Sequence, residues 1–458
     1  MASLTYDNHG LRRSTIGDDF GVSEEERESL AQRLGEAREA VADAHESGEL
    51  GFLDLPDRAT DGIEAWASRK REGRWTDAVV IGIGGSSLGA RAILDASRPE
   101  DLDGLRVHVS ENIDPESFGD LLDDIPLDST LFVVVTKSGT TVETMGKFAI
   151  AFDRLENELG PGRASSQVVA VTSPDSGALR RLARKHGFET FDIPPNVGGR
   201  FSVLSPVGLV PLALAGFSIG DLIHGARDAR DRLLEAPFED NSVLQATADL
   251  HLLYQRGVTD LVMMAYSDRL GTLVDWFRQL WAESLGKARN RAGDRVHTGM
   301  TPIKAIGTID QHSQAQLYME GPASRVVVFL QAENFDRELT IPDTEGLPEE
   351  LDHLTGHALG DVLNAALDGT QRALAQKGRP TAKWTFERIQ PRSIGGFLIA
   401  WEAITALMGE LWNINAYDQP GVELGKRIAH GILGDPENAE YNTEESADSS
   451  DETLVVST

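Results

Sequence analysis

Apolar and polar positions along this chain fall into two runs of alternating strand-like and helix-like segments, joined by a turn-rich bridge. Leu131–Val135 is a short β-branched run that suits a buried parallel strand. It breaks into Thr136-Lys137-Ser138-Gly139-Thr140-Thr141, and a helix is predicted to open at Glu143. Around it, strands are expected at Asp77–Ile81, Arg106–Ser110, Gln167–Val171 and, edge-like, Glu189–Ile193. Helices alternate with them at Ala90–Ala96, Pro115–Asp123, Glu143–Leu159 and Gly177–His186. Such alternation specifies a parallel sheet covered on both faces.

The bridge is Pro194–Ser202, after which Val207–Ala215 starts a buried apolar helix. The second run comprises helix Ser242–Gln255, strand Asp260–Ala265, helix Thr272–Ser284 and a loop over Met300–His312. Helix Ser313–Met319 and strand Val326–Gln331 follow, then helical stretches at Gly346–Asp368 and Gly369–Gln376. A short polar strand at Trp384–Ile389, an apolar helix at Ile394–Met408 and a last helix opening at Gln419–Arg427 complete it. Ahead of both runs, residues 1–20 read as an arm. Helix Val22–Ala44 opens with the capping box Ser23/Glu26, and Gly62–Lys70 is a short helix. The fold class is therefore α/β, with two α/β/α sandwich domains of mostly parallel strands, an N-terminal arm and C-terminal helices. The expected divisions are 1–59 (arm and helices), 60–205 and 206–400 (the two domains), 401–434 (C-terminal helices) and 435–458, an acidic tail expected to be disordered.

Charge changes this picture most. Seventy-three acids against 43 bases leave a net charge of −30 over 458 residues, and only nine of the bases are lysine. A surface this acidic disfavours nucleic acid as a partner, because binding a polyanion requires neutralising its phosphates. It repels itself at low salt, whereas at molar salt the screening length falls to about 3 Å. A cytoplasm of high salt is the expected setting. No uninterrupted run of 18 apolar residues suggests a membrane span, and the first residues do not read as a signal sequence, so a cytoplasmic location is expected. The chain has no cysteine, which excludes disulfides, thiolate nucleophiles and Cys-ligated metal centres.

Four stretches carry candidate chemistry. Gly82-Ile83-Gly84-Gly85-Ser86-Ser87 follows a strand and imitates a dinucleotide fingerprint, with Glu111 after the next strand as a candidate ribose-binding acid. Its sixth position is Ser87, where that motif wants a small Gly or Ala for helix packing. The other reading is that Gly84 and Gly85 let the backbone approach a ligand while Ser86 donates a hydroxyl, with Thr136–Thr141 supplying a second donor set and Lys137 a cation. Glu283, near the end of its helix and before Gly286, is a candidate general base; a solvated surface glutamate is the alternative. His312 sits among polar residues ahead of a helix, as an acid–base candidate or a structural helix-entry residue. Lys426 and Arg200, each in a glycine-marked setting, are candidate cations for a phosphate or an oxyanion. Apart from the weak His353/His357 pair, no histidines are spaced to ligate a metal, and no metal site is expected.

Together VVIGIGGSSLG (79–89), TKSGTTVET (136–144), NVGGRFS (196–202), QLWAESLGK (279–287), GTIDQHSQ (307–314) and DQPGVELGK (418–426) resemble the glucose-6-phosphate isomerase family, in order, from about residue 75 to 430. The resemblance implies two domains of the sugar-isomerase type, reversible aldose–ketose isomerisation of glucose 6-phosphate and fructose 6-phosphate, and no cofactor or metal. It implies Glu283 as the base that shuttles a proton between C1 and C2. It also implies His312 as the group that opens the sugar ring, assisted by Lys426, and Arg200 as stabiliser of a cis-enediolate. Gln279 would hydrogen-bond the substrate, and Gly85, Ser86, Thr136, Lys137, Ser138, Thr141 and Gln419 would surround its phosphate. A homodimer is implied, with His312 contributed across the interface. The short chain and its motif forms look nearest the bacterial-type branch, and the charge suggests a salt-adapted, haloarchaeal form. The chain departs from many relatives at Ser87, where they have Asp, and at Gly139, where they have an aromatic and where glycine is expected to loosen the loop. A phosphosugar-sensing protein without turnover, or an isomerase of another phosphorylated sugar such as mannose 6-phosphate, remains the rival reading.

Overall fold

The computed structural model of the chain describes residues 4–343 and 348–441. The expected arm is built into the fold. Leu4–Asp7 is a strand, β1, pairing antiparallel with strand β12 (Thr381–Phe386). The anchor is Asp249, fully buried, which accepts from Tyr6 Oη at 2.9 Å, Asn8 Nδ2 at 3.2 Å and Arg27 Nε at 2.6 Å. A buried carboxylate needs such partners to offset its lost hydration. The arm is held in place because its polar residues answer a charge more than 240 positions away. Helix Glu24–Glu46 begins with the expected capping box, in which Glu26 N and Ser23 Oγ are 3.2 Å apart and Ser23 N reaches Glu26 Oε2 at 2.8 Å.

The first sheet has strand order β3-β2-β4-β5-β6 and is wholly parallel, from β2 (Asp77–Ile81), β3 (Arg106–Ser110), β4 (Thr130–Val135), β5 (Val168–Thr172) and β6 (Glu189–Asp192). Every residue of β2, β4 and β5 is buried, which is why these strands read as continuous apolar runs. One core on this sheet joins Val79, Ile81, Phe132, Val134 and Ala170 to Phe118, Phe148, Leu155 and Leu179 of the covering helices.

The second sheet has order β1-β12-β11-β7-β10, with β7 (Asp260–Tyr266), β10 (Thr301–Ile306), β11 (Arg325–Ala332) and β12 parallel to one another. β10 replaces the first part of the loop expected over Met300–His312. Its sequence Thr-Pro-Ile-Lys-Ala-Ile disguises it, since Pro302 argues against a strand. β10 lies at the sheet edge and pairs only with β7, so the proline's missing N–H faces no partner strand. A small hairpin, β8 (Lys287–Arg289) with β9 (Arg295–Thr298), precedes it. Helix Ile219–Glu235 is also absent from the expected elements, although Leu222, Ile223, Ala226 and Leu233 recur at helical spacing and are buried.

The helix Pro391–Leu411 corrects the division expected between residues 400 and 401, which falls inside it. By length and composition it is the one helix among the described residues apolar enough to cross a membrane. Here Ser393 to Gly409 are all buried in the protein interior. Of the helical stretches expected over 346–376, residues 346–347 lie outside the described residues, Glu349–Leu354 forms 3₁₀ turns and Leu359–Gln376 is α-helix.

The chain divides between Ala416 and Tyr417 into two compact units. The second, described as far as Tyr441, holds a 3₁₀ turn at Pro420–Val422, helix Glu423–Ile432 and turns at Pro436–Tyr441. Of the tail expected to be disordered, residues 435–441 thus have defined turns, and 442–458 lie outside the described residues.

Candidate active site

Three of the sequence motifs meet at two glycines. After β2 the chain turns through the 3₁₀ segment Gly84–Ser86. A Cβ on Gly85 would stand 2.3 Å from the carbonyl carbon of Gly199 and 2.6 Å from Arg200 N. A Cβ on Gly84 would stand 2.7 Å from Gln279 Nε2. At Gly85 only glycine lets these backbones approach so closely, while Gly84, at φ +55°, meets the tip of the Gln279 side chain. Ser202 Oγ closes the junction, donating to Gly199 O at 2.6 Å and lying 3.3 Å from Gly85 O. Ser86 is half-buried at this turn.

Arg200 and Glu283 form the charged centre. Arg200 is 5% exposed; its Nε donates to Ser284 Oγ at 2.6 Å and its NH2 to Ala416 O at 2.6 Å. Its NH1 lies 3.6 Å from Glu283 Oε2. Gln279 Nε2, one helical turn before Glu283, donates to Glu283 Oε1 at 3.2 Å. Lys287 Nζ caps the same helix end through Glu283 O at 2.6 Å and Ser284 O at 2.9 Å. The Glu283 carboxylate is about one-third exposed, so it faces solvent on one side and the guanidinium on the other. Ser284 and Lys287 are supporting residues that the motif reading passed over. Ser284 lies inside the quoted QLWAESLGK stretch, but its role depends on a contact 84 positions away.

The Thr136–Thr141 loop follows β4 and leads into helix Val142–Leu159, with Thr141 at its N-cap. Its hydroxyls fold the loop on itself: Gly139 N donates to Thr136 Oγ1 at 3.2 Å and Thr140 N to Ser138 Oγ at 3.2 Å. Thr136 Oγ1 and Thr141 Oγ1 are 3.3 Å apart. Open N–H groups at a first helical turn, ringed by hydroxyls, make an anion cradle. Lys137 is not simply aimed into it. Its Nζ donates to Pro195 O at 2.7 Å and Val197 O at 3.0 Å, tying the cradle to the bridge that carries Arg200. Burial lowers the pKa of this ammonium. Gly139, expected to loosen the loop, tightens it. Its φ is +70°, and a Cβ there would meet Leu179 N at 2.4 Å and Ala178 N at 2.8 Å. The aromatic of many relatives has no room in this arrangement.

His312 ends a 3₁₀ turn, Ile309–His312, just past β10, and is exposed. Asp310 fixes the turn, accepting from Ile306 N at 2.6 Å and Gln314 Nε2 at 2.9 Å and contacting Ser313 Oγ. Burial raises the Asp310 pKa, but the bonds from Gln314, Ser313 and Ile306 N outweigh it and hold the carboxyl below its usual range. Helix Gly271–Leu285 runs antiparallel to β10: Asp275 pairs with Lys304, and Thr298 Oγ1 donates to Leu285 O at 2.9 Å. Glu283 therefore sits beside the start of β10 and His312 beyond its end, with about 17 Å of strand between. Within one chain the two are not brought together. Gln419 and Lys426 belong to the second unit, where Lys426 Nζ lies 2.9 Å from Glu423 Oε1. Among the described residues, no group of three or more His, Cys, Asp or Glu side chains is arranged to hold a metal ion.

Gly84, Gly85, Arg200, Gln279 and Glu283 thus form one cluster beside a separate anion cradle. The family known as phosphoglucose isomerase matches this chain over residues 60–347 and 348–455. The chain belongs to that family. It is 40% identical over 424 residues to the glucose-6-phosphate isomerase of Carboxydothermus hydrogenoformans, covering 90% of this chain and 91% of that one. A crystal structure of a hypothetical protein from Thermus thermophilus is similar at 37% identity with a TM-score of 0.85, over 94% of this chain and all of that one. A glucose-6-phosphate isomerase from Chlamydia trachomatis is similar at 25% identity with a TM-score of 0.81, over 95% and 90% of the two chains. Glu111, the candidate ribose-binding acid of the dinucleotide reading, is engaged by Ser87 Oγ at 2.9 Å and Arg91 NH1 at 2.7 Å.

Proposed function

We propose that this chain interconverts glucose 6-phosphate and fructose 6-phosphate, with Glu283 carrying one proton between C1 and C2. The observation that supports it most is the pairing of a half-open carboxylate with a nearly buried guanidinium, Glu283 with Arg200, at the Gly84–Ser86 turn. Aldose–ketose exchange needs these two charges. Glu283 takes the proton from C2 of the open-chain aldose, forming a cis-enediolate, and returns it to C1 as the C2 hydroxyl proton passes to O1 and the C2 carbonyl of the ketose forms. Arg200, held by Ser284 and Ala416, offsets the charge that develops on the enediolate oxygen. Gln279 orients the carboxylate and hydrogen-bonds the substrate.

Ser86, Thr136, Ser138 and Thr141 hold the phosphate, with the Gly85 backbone, and Lys137 adds its charge from the bridge. Phosphate contacts remote from the reacting carbons supply binding energy for opening and orienting the sugar. His312 opens the ring, in the active site of a second copy of the chain. Support for a homodimer lies in the strand that separates His312 from Glu283, and in Ile309 and Leu317, which flank His312 and are 65% and 50% exposed. The net charge of −30 supports a salt-adapted protein of a high-salt cytoplasm.

The test is conversion of fructose 6-phosphate to glucose 6-phosphate, at low and at molar salt, by the wild type and Glu283→Gln. Turnover favoured by high salt, and lost in the variant while sugar-phosphate binding persists, is the expected result. Turnover only at low salt removes the salt-adaptation reading. Binding without turnover at either salt replaces the enzyme by a phosphosugar sensor.

A further inference from the structure

Ser87 and Glu111 take no part in the proposed chemistry, yet they lie in a continuous hydrogen-bonded network behind it. Ser87 is completely buried; its Oγ donates to Glu111 Oε1 at 2.9 Å and lies 3.4 Å from Gly84 O. Its backbone N donates to Gly84 O at 3.0 Å, so the residue ties the carbonyl end of the Gly84–Ser86 turn to the carboxylate. Glu111 is held in turn by Arg91 NH1 at 2.7 Å, from the helix Leu88–Ala96 that the turn leads into. The backbone on either side of the Glu111 side chain is fixed by a buried cation. Lys147, 3% exposed, donates from Nζ to Ser110 O at 2.7 Å, Ser110 Oγ at 3.1 Å and Glu111 O at 3.0 Å. All three ammonium hydrogens have acceptors within reach, so the end of β3 is held at three points.

Lys147 lies on helix Val142–Leu159, whose first turn closes the Thr136–Thr141 cradle. Ser87 lies on the turn that carries Gly85 and Ser86 and touches Gln279. The path Lys147–Glu111–Ser87–Gly84 therefore joins the two loops that would share the substrate phosphate. A hydroxyl donating to a carboxylate is a stronger tie than one between neutral groups.

We propose that Ser87 and Glu111 are positioning residues, which with Lys147 lock the Gly84–Ser86 turn and the Thr136–Thr141 loop at the spacing one phosphate requires. The inference rests on the isomerase reading for its substrate but not for its readout. The variants are Ser87→Ala, Glu111→Ala and the conservative Glu111→Gln, which keeps an oxygen to accept from Ser87. Each would be titrated with inorganic phosphate by calorimetry and assayed with fructose 6-phosphate.

Ser87→Ala and Glu111→Ala are expected to raise the phosphate Kd and the fructose 6-phosphate KM by a common factor of about ten, the effect of one lost charge-assisted hydrogen bond. Their kcat should stay within about twofold of wild type, and Glu111→Gln should recover most of the lost affinity. Unchanged phosphate Kd in both alanine variants overturns the proposal. So does a fall in kcat and melting temperature with phosphate affinity intact, which marks a purely structural tie. Wild-type protein that does not bind phosphate overturns it as well. Wild-type protein that binds phosphate but does not isomerise removes the enzyme reading alone, and the titrations still decide the role of Ser87 and Glu111.

Discussion

The C-terminal edges of the two sheets are built from the same architecture and used in opposite ways. At the first sheet, β2 and β4 run out into glycines and hydroxyls, and the nearest cation, Lys137, is spent on backbone carbonyls. At the second, β7, β11 and β12 run out into an ion-pair hub. Asp336 lies 3.0 Å from Arg388 NH1, 3.4 Å from Arg269 NH1 and 3.6 Å from Arg98 Nε. Arg269 also donates to Ala96 O at 2.7 Å and Ile389 O at 3.0 Å, reaching from the second sheet to the helix after β2. Parallel sheets gather their loops at one edge, and loop chemistry decides whether that edge binds a ligand or holds the molecule together. Glycines and hydroxyls leave donors for an anion; arginines paired with an aspartate spend theirs on its carboxylate.

The largest effect expected is at the charged centre between these edges. Glu283→Gln should lower kcat by about 10²–10⁴-fold, the usual contribution of a positioned base, with little change in melting temperature. A steady-state assay with a thermal melt checks both. A loss below about tenfold would move the base elsewhere.

Acid should next separate the two halves of the molecule. His251, before β7, is buried and accepts from Trp412 Nε1 at Nδ1, 3.2 Å away; burial, with a smaller effect from Arg33, drops its pKa from 6.5 to about 4. The unfolded chain takes up this proton near pH 6.5 and the folded chain only near pH 4. Stability is therefore lost as pH falls through that window, by up to about 3 kcal/mol. Asp77 of β2 behaves differently. Burial pushes its pKa up, but His108, Thr76 and Arg106 outweigh that and hold it below its usual value. Its contribution is present above about pH 4 and lost below it. Chemical denaturation from about pH 7 to about pH 4, monitored by tryptophan fluorescence, should show the first loss in wild type and a flatter profile in His251→Gln.

Gly139→Ala sharpens the comparison at the first edge. A left-handed φ and a contact of 2.4 Å to Leu179 N should cost about 1–3 kcal/mol and weaken phosphate binding together. A stable variant binding phosphate normally would mean the loop does not need its observed shape. Asp336→Asn should have the smallest effect on function. Stability should fall by about 1–2 kcal/mol, less at molar salt, with KM and kcat unchanged. A KM as perturbed as that of a cradle variant would erase the distinction between the edges.

Much of this was written locally. β2 and β3 have the bounds that the sequence predicts, and β2, buried throughout, is a mostly apolar run needing no distant information. The capping box at Ser23, the glycine turns and the clustering of hydroxyls before helix Val142–Leu159 are equally local. Three features misled. Pro302 hid an edge strand, the arm showed no sign of the strand that its tie to Asp249 anchors, and Gly139 looked slack until Leu179 packed on it.

What the sequence by itself determined is the set of elements, the α/β class, the ordered motifs of an isomerase family and the acidic surface. These depend on spacing along the chain and on counts of residue types. What only the tertiary structure decided is which of those residues meet. Arg200 reaches Glu283 across 83 positions, Ser87 finds Glu111 just past the neighbouring strand, and His312 is carried to the far end of β10 from the base. Such meetings arise from long-range packing of helices on sheets, and no local periodicity encodes a contact between groups that far apart in the chain.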